Sequence, residues 1–312
     1  MNLRDLRYVV AIAEHRHFGR ASEACHVSQP TLSGQLRKLE DRLGAPLFER
    51  TSKWVVPTAL GQQVVRHARA ALEQADAIEA LARAARDPLA GPLRLGVIPT
   101  LSPYLMPLVL PELRQRHPGL TLVLWEDLTA NLIERLRRHE LDAALIATGT
   151  DGEDLIGVDL FVEPFLAAVP TGHPLAARDW VSEDDLQRAD MLVLADGHCL
   201  REQALGVCGA PPPGGDDLRA ASLDTLVSMV SAGYGCTLVP ALAAPGLERR
   251  GLVLRPVDSF GACRTVRLVW RPTFPRQKAL DALAELVRSV VPADLADGSP
   301  EDCVSSHALA RD

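Results

Sequence analysis

The segment HCLREQALGVC at 198–208 carries two cysteines, Cys199 and Cys208, nine positions apart. Cys199 opens a short helical pattern, CLREQAL, soon after the apolar run MLVLAD. A thiol at a helix N-terminus lies near the positive end of the helix dipole, and His198 and Arg201 add basic neighbours. All three features favour a thiolate, the form of cysteine that attacks the O–O bond of a peroxide. The product is a sulfenic acid, which a second thiol converts to a disulfide, and Cys208 is the candidate resolving thiol. If the whole segment is helical, the two cysteines stand roughly 13 Å apart along the axis and on opposite faces. A disulfide needs Cα atoms within about 7 Å, so an intact helix has to rearrange before the bond closes. The closed loop of ~10 residues then gains about 2.7 kcal/mol on a polymer model, enough to bias a two-state element. Other readings of the spacing stay open. Such pairs are common as small core side chains, and a zinc site built from His198, Cys199 and Cys208 lacks an evident fourth ligand. Cys25 and Cys236 read as core, while Cys263 and Cys303 have no motif around them.

The elements that must position this segment alternate in type. LRLGVI (93–98), LTLVLWE (120–126), LDAALIA (141–147), FLAAVP (165–170), MLVLAD (191–196) and VRLVWR (266–271) read as strands. Helical patterns lie at 104–116, 129–140 and 222–232, which makes an α/β body with a largely parallel sheet. Sheets of that kind bind ligands beyond the carboxyl ends of their strands. Thr100 sits at such an end, and Thr129 starts the helix that follows another strand.

The first residues read differently. Residues 3–14 place Leu3, Leu6, Val10, Ile12 and Ala13 on one helical face, and a second helix lies around 19–25. A third opens at Ser28-Gln29-Pro30-Thr31, with Ser28 as N-cap and Pro30 tolerated in the first turn. Leu32, Leu36, Leu39 and Leu43 form its buried stripe, and Gly44 ends it. Its opposite face carries Gln29, Thr31, Ser33, Gln35, Arg37 and Lys38, side chains suited to base edges and phosphates. Two helices joined by a tight turn predict a helix-turn-helix; a plain three-helix bundle with a solvated face is the alternative. LFERTSKWVVPT predicts a small β-wing with Arg50, Thr51, Ser52 and Lys53 at its tip. From Thr58 a long helix runs to about Arg86, with Val64, Ala68, Ala71, Ala75, Ile78, Ala82 and Ala85 spaced as a coiled-coil seam. A dimer on that seam presents two recognition helices to two half-sites. DPLAGP at 87–92 reads as a hinge, so the expected divisions are 1–58, 59–90, 91–292 and a polar, flexible tail over 293–312.

Composition sets the outer bounds. The chain has 312 residues, 47% of them hydrophobic, ample for more than one packed core. No apolar run approaches the roughly 18 residues of a membrane span, and charges interrupt the MNLRDLRYVV start where a secretion signal is apolar. A cytoplasmic protein with no membrane contact is expected, and in a reducing compartment its six cysteines do not form a structural disulfide framework. The net charge of −7 excludes a uniformly basic nucleic-acid binder. Residues 1–58, however, hold nine Lys/Arg against six Asp/Glu, a net +3 that leaves −10 for the remainder.

FGRASEACHVSQPTLSGQLRKLEDRLGAPLFERT resembles the head of LysR-type transcriptional regulators, and GPLRLGVIPT and VSAGYGCTLVPA resemble that family's body. The likeness runs to about residue 292. It implies an N-terminal winged helix-turn-helix, mainly α, with Ser28, Gln29, Pro30, Thr31, Ser33, Arg37, Arg50 and Thr51 near DNA. A linker helix and a two-lobed α/β regulatory domain similar to periplasmic solute-binding proteins follow. GHCLREQALGVC further resembles the peroxide-sensing branch of the family. That likeness implies Cys199 as the peroxidatic thiol and Cys208 as its disulfide partner, with Thr100, Thr129, His198 and Arg264 around the peroxide. Glu202 stands where the branch has an aspartate, and the Pro/Gly-rich stretch after Cys208 also departs from its pattern. The implied partners are a double-stranded DNA operator, hydrogen peroxide, further copies of the chain as a dimer of dimers, RNA polymerase, and a glutaredoxin- or thioredoxin-type reductant. No cofactor or metal is implied, and peroxide is consumed only stoichiometrically, so no enzyme is expected. The rival expectation is a LysR-type regulator gated by a small metabolite, with cysteines that are not redox-active.

Overall fold

The computed structural model describes residues 1–50, 55–84, 89–150, 154–209, 219–259 and 261–296. It divides into two compact units, one ending at Asp87 and one starting at Pro88. The first unit comprises α1 (Leu3–His15), α2 (Phe18–Ala24), α3 (Gln29–Leu43), the strands β1 (Phe48–Arg50) and β2 (Val55–Pro57), and the long α4 (Ala59–Ala84). Asn2 and Asp5 form a reciprocal capping box on α1, each side chain accepting the other's backbone N–H at 2.9 Å. Val9, Ile12, Ala21, Leu32, Leu36, Leu39, Leu47 and Phe48 pack as one core. Two expected core leucines do not join it: Leu3 and Leu43 are 45% and 43% exposed, because each is the terminal residue of its helix and projects past the bundle. β1 and β2 pair antiparallel, and Glu40 on α3 ties the hairpin down by accepting the N–H of Leu47 at 2.8 Å. Thr58 caps α4 as its sequence predicts, its Oγ1 accepting the Gly61 N–H at 2.9 Å.

The second unit runs β3 (Gly91–Val97), α5 (Ser102–Arg116), β4 (Leu120–Glu126), α6 (Thr129–Arg137), β5 (Ala143–Ile146), β6 (Ile156–Pro170), β7 (Val181–Ser182), α7 (Glu183–Gln187), β8 (Val193–Leu194), α8 (Cys199–Cys208), β9 (Arg219–Ala220), α9 (Leu223–Ser231), β10 (Thr237–Pro240), β11 (Leu252–Asp258), β12 (Cys263–Trp270), α10 (Gln277–Val290) and α11 (Ala293–Ala296). The sheet is mixed, which corrects the expectation of a largely parallel one. β3 pairs parallel with β4 and β5, but β12 lies antiparallel to β5 and β6, and β6 lies antiparallel to β10 and β11. The reason is that β6 and β12 return through the sheet as antiparallel neighbours, with β6 alone running on into the second lobe, rather than crossing over by a helix.

Two separate cores make the lobes. The first gathers β3, α5, β5, α6, the β12 side chains Val266, Leu268 and Val269, and α10. The second gathers the last third of β6, from Phe165 to Val169, with α8, α9, β10 and β11. β6 changes lobes near Pro164, where pairing with β12 gives way to pairing with β10 and β11. The tail expected from residue 293 begins instead with α11, whose Leu295 is 4% exposed and joins the first core. Ser52, Lys53, Ala85, Cys303, the Pro/Gly-rich stretch at 210–218 and the tail from 297 lie outside the described residues.

Candidate thiol site and nucleic-acid interface

α8 is helical from Cys199 to Cys208, and both are buried free thiols. The two cysteines of this one helix belong to different cores. Cys199, 8% exposed, belongs to the first core, whereas Leu200, Ala204, Val207 and Cys208 belong to the second. Gln203 reinforces the crossing, its Nε2 donating to the Ala147 carbonyl, just past β5, at 2.7 Å. The helical rise separates the cysteines by roughly 13 Å along the axis. Burial and the nearby Glu183 carboxylate push the Cys208 thiol up to about 12, so it stays protonated where it sits.

Cys199 occupies the first turn of α8, where backbone N–H groups have no intrahelical partner. The two cations expected to help it are arranged otherwise. Arg201 donates to the Leu194 carbonyl at 3.0 Å and pairs with Asp196 at 2.9 Å. Burial holds His198 below its ordinary value, favouring the neutral imidazole, which is hydrogen-bonded to the Ala221 backbone. Glu202 is exposed on the helix surface.

Thr100 and Arg264, distant in sequence, are in direct contact. Arg264 Nη1 donates to Thr100 Oγ1 at 2.9 Å and Nη2 to its carbonyl at 3.1 Å. Thr129 is the first residue of α6, and its Oγ1 is buried with no hydrogen-bond partner. The preceding Leu128 lies against the 197–199 turn: a Cβ on Gly197, whose φ is +92°, would meet Leu128 Cδ1 at 3.0 Å. Among the described residues no group of three His, Cys, Asp or Glu side chains converges as a metal cluster would.

In the first unit, Ser28 caps α3, its Oγ accepting the Thr31 N–H at 3.3 Å. Ser28, Gln29, Pro30, Thr31 and Arg37 are exposed along one side and Ser33 is half-buried, opposite Leu32, Leu36 and Leu39. Thr51 and the Arg50 side chain lie outside the described residues.

Residues 3–62 match the family model for the bacterial regulatory helix-turn-helix protein, lysR family, and residues 86–292 match the LysR substrate binding domain. The chain belongs to the LysR family. Within it the likeness is to the OxyR branch. The chain is 46% identical over 291 residues to the DNA-binding transcriptional dual regulator OxyR of Escherichia coli K12, covering 93% of this chain and 95% of that one. A full-length OxyR variant from Pseudomonas aeruginosa superposes with a TM-score of 0.83 at 38% identity, over 96% of this chain and 99% of that one. A hydrogen-peroxide-bound OxyR mutant from Corynebacterium glutamicum gives 0.64 at 32% identity, over 99% and 95%. The chain is thus a LysR-family DNA-binding regulator with a two-lobed body. No helix among its described residues is long and apolar enough to cross a membrane.

One member of the buried network in this LysR body went unread in the sequence. Glu163 on β6 is fully buried, accepts from Arg264 at 2.7 Å, and accepts the Leu242 N–H at 2.7 Å. The available signal was an acidic residue inside FVEPF, an otherwise apolar strand.

Proposed function

We propose that the chain is a transcriptional regulator that senses hydrogen peroxide through Cys199 and is switched by a reversible Cys199–Cys208 disulfide. The observation that carries the reading is α8 itself: one intact helix with a free thiol at each end, Cys199 in the first core and Cys208 in the second. The Cys199 thiolate attacks one peroxide oxygen and the O–O bond breaks. The departing hydroxide takes a proton and leaves as water, and Cys199 becomes a sulfenic acid. Cys208 then attacks that sulfur as a thiolate and expels a second water. Two thiols and one peroxide give one disulfide and two waters, which is a stoichiometric response rather than turnover.

The second step cannot occur across an intact α8, and Cys208 is protonated while buried, so α8 must unwind to bring Cys208 to Cys199. Unwinding withdraws the contacts that α8 makes with both cores, which is how a local oxidation reaches the rest of the lobes. Around the peroxide we place Thr100, Thr129, His198 and Arg264. The unpartnered Thr129 Oγ1 suits a ligand O–H, and neutral His198 accepts or donates one hydrogen bond without adding charge. The peroxide named in the C. glutamicum structure supports this ligand class.

On the DNA side, Ser28, Gln29, Pro30, Thr31, Ser33 and Arg37 form the groove-facing surface, with Arg50 and Thr51 at the wing. The coiled-coil seam on α4 pairs two copies, and Ile78, 70% exposed in the single chain, has that partner to bury against. We extend the assembly to a dimer of dimers acting in the cytoplasm on a double-stranded operator. RNA polymerase reads the change, and a glutaredoxin- or thioredoxin-type protein resets the thiols. The test is peptide mapping of protein treated with low peroxide and quenched by alkylation. A Cys199–Cys208 linkage is expected; its absence overturns the reading in favour of a metabolite-gated regulator.

A further inference from the structure

We infer that Glu163 is a positioning residue for the peroxide reaction: it fixes the Arg264 guanidinium, and Arg264 in turn orients the Thr100 hydroxyl toward the reacting oxygen. The inference rests on the peroxide-sensing reading above. Both side chains of the Glu163–Arg264 pair have no solvent exposure. Each Glu163 oxygen has a separate task. Oε1 accepts the Leu242 N–H at 2.7 Å, and Oε2 accepts Arg264 Nε at 2.7 Å, so the carboxylate is held from both sides. A guanidinium is planar, with its donors in a fixed fork. With one edge seated on Glu163, the remaining donors of Arg264 point at Thr100 Oγ1 at 2.9 Å and at its carbonyl at 3.1 Å.

A threonine hydroxyl has one donor proton and two acceptor lone pairs. Arg264 occupies one lone pair, so the Thr100 proton is directed away from Arg264 and is free to donate elsewhere. When the O–O bond breaks, negative charge grows on the departing oxygen. A hydroxyl donor already fixed in place stabilises that charge without reorganising. A buried ion pair is a weak device for stability, since well-packed apolar residues of similar volume do as well or better. The value of this one lies in the direction it imposes on Thr100. Glu163 sits one residue before β6 leaves the first lobe, and Leu242 follows β10 of the second, so the relay is anchored where the lobes meet.

The test uses the full chain and two reagents that consume the Cys199 thiol. Hydrogen peroxide needs its O–O bond oriented, whereas iodoacetamide alkylates any accessible thiolate. Glu163→Gln keeps the size of the side chain and removes its charge. Its Cys199 oxidation rate with peroxide is expected to fall at least about tenfold, while alkylation stays within about twofold of wild type. Thr100→Val is expected to show the same selective loss, and the double variant to be no slower than Thr100→Val alone. A wild-type peroxide rate in Glu163→Gln, equal losses with both reagents, or additive losses in the double variant would each overturn the inference. If Glu163→Gln does not fold, Glu163→Asp keeps the charge but is too short to hold both Arg264 and the Leu242 N–H. The same peroxide-selective loss is expected there, and a wild-type rate overturns the inference. Failure of wild-type Cys199 to react with peroxide at all would instead remove the parent reading.

Discussion

If α8 must unwind before Cys199 and Cys208 join, strengthening the helix should make the disulfide harder to form and easier to break. Gly206 offers a clean way to do this. It lies inside α8, it is exposed, and a Cβ built on it meets nothing within 4 Å. Gly206→Ala therefore adds no clash and no new contact; it removes the backbone freedom that glycine brings to the open state. Replacing glycine by alanine within a helix stabilises that helix by roughly 0.5–1 kcal/mol. Only the dithiol form contains the helix, so the dithiol form gains that amount relative to the disulfide. For a two-electron couple, about 1.4 kcal/mol corresponds to 30 mV, so the reduction potential should become less negative by about 10–20 mV. The closing step should slow about two- to fivefold, while the first oxidation at Cys199, which takes place in the helical form, should keep its rate. Equilibration in graded thiol–disulfide buffers with acid trapping reads the midpoint, and stopped-flow detection of sulfenic acid reads the two steps. A midpoint unmoved or shifted to more negative values would refute the requirement for unwinding.

Four further outcomes are expected. Cys208, pushed up to about 12 by burial and Glu183, should resist iodoacetamide at pH 8 in native reduced protein and react readily in urea, as peptide mapping would show. Its folded value lies above the ordinary 9.0, so its contribution to stability is complete below pH 9 and is lost as the pH rises from there toward 12. Urea unfolding across that window, compared with Cys208→Ala, measures the loss. Arg37→Ala should weaken operator binding and lower the salt slope by about one, with the rate of Cys199 oxidation unchanged, as fluorescence anisotropy and thiol kinetics would show. Ile78→Glu, a charge placed on the α4 seam where the native side chain is 70% exposed, should shift the protein toward monomer in sedimentation velocity and leave Cys199 oxidation unaffected.

Much of this architecture was legible because local chemistry and long-range structure agree. In the first unit, the Ser28 cap, the spacing of Leu32, Leu36 and Leu39, and Gly44 in the left-handed region all specify α3. A short helix over CLREQAL was legible from Cys199 onward, while its continuation to Cys208, and with it the conflict between helix and disulfide, is fixed by the structure. What stayed hidden depends on tertiary pairing. The first part of β6 contains Gly157, Asp159 and Pro164, poor strand formers, and is held in the sheet by its long register with β12. The mixed strand directions follow from the antiparallel return of β6 and β12, which no period in the sequence records. α10 carries a legible stripe at Leu280, Leu283, Ala284 and Val287, yet it stands outside the strand–helix alternation of the body. At the site, residue types located the thiols, but the engagement of Arg201 by Asp196 and the neutral bias of His198 come from packing. Glu163 reaches Arg264 across 101 positions, a distance that one sequence does not bridge.

Oxidation at Cys199 is expected to change how the helix-turn-helix meets DNA. The most direct measurement is a footprint on an operator selected from random duplexes with reduced protein, taken before and after peroxide, for wild type and Cys199→Ser. Wild type should change its protected pattern as the Cys199–Cys208 linkage appears, and Cys199→Ser should keep the reduced pattern throughout. A Cys199→Ser footprint that shifts with peroxide, or a wild-type footprint that stays fixed once the linkage is complete, would contradict it.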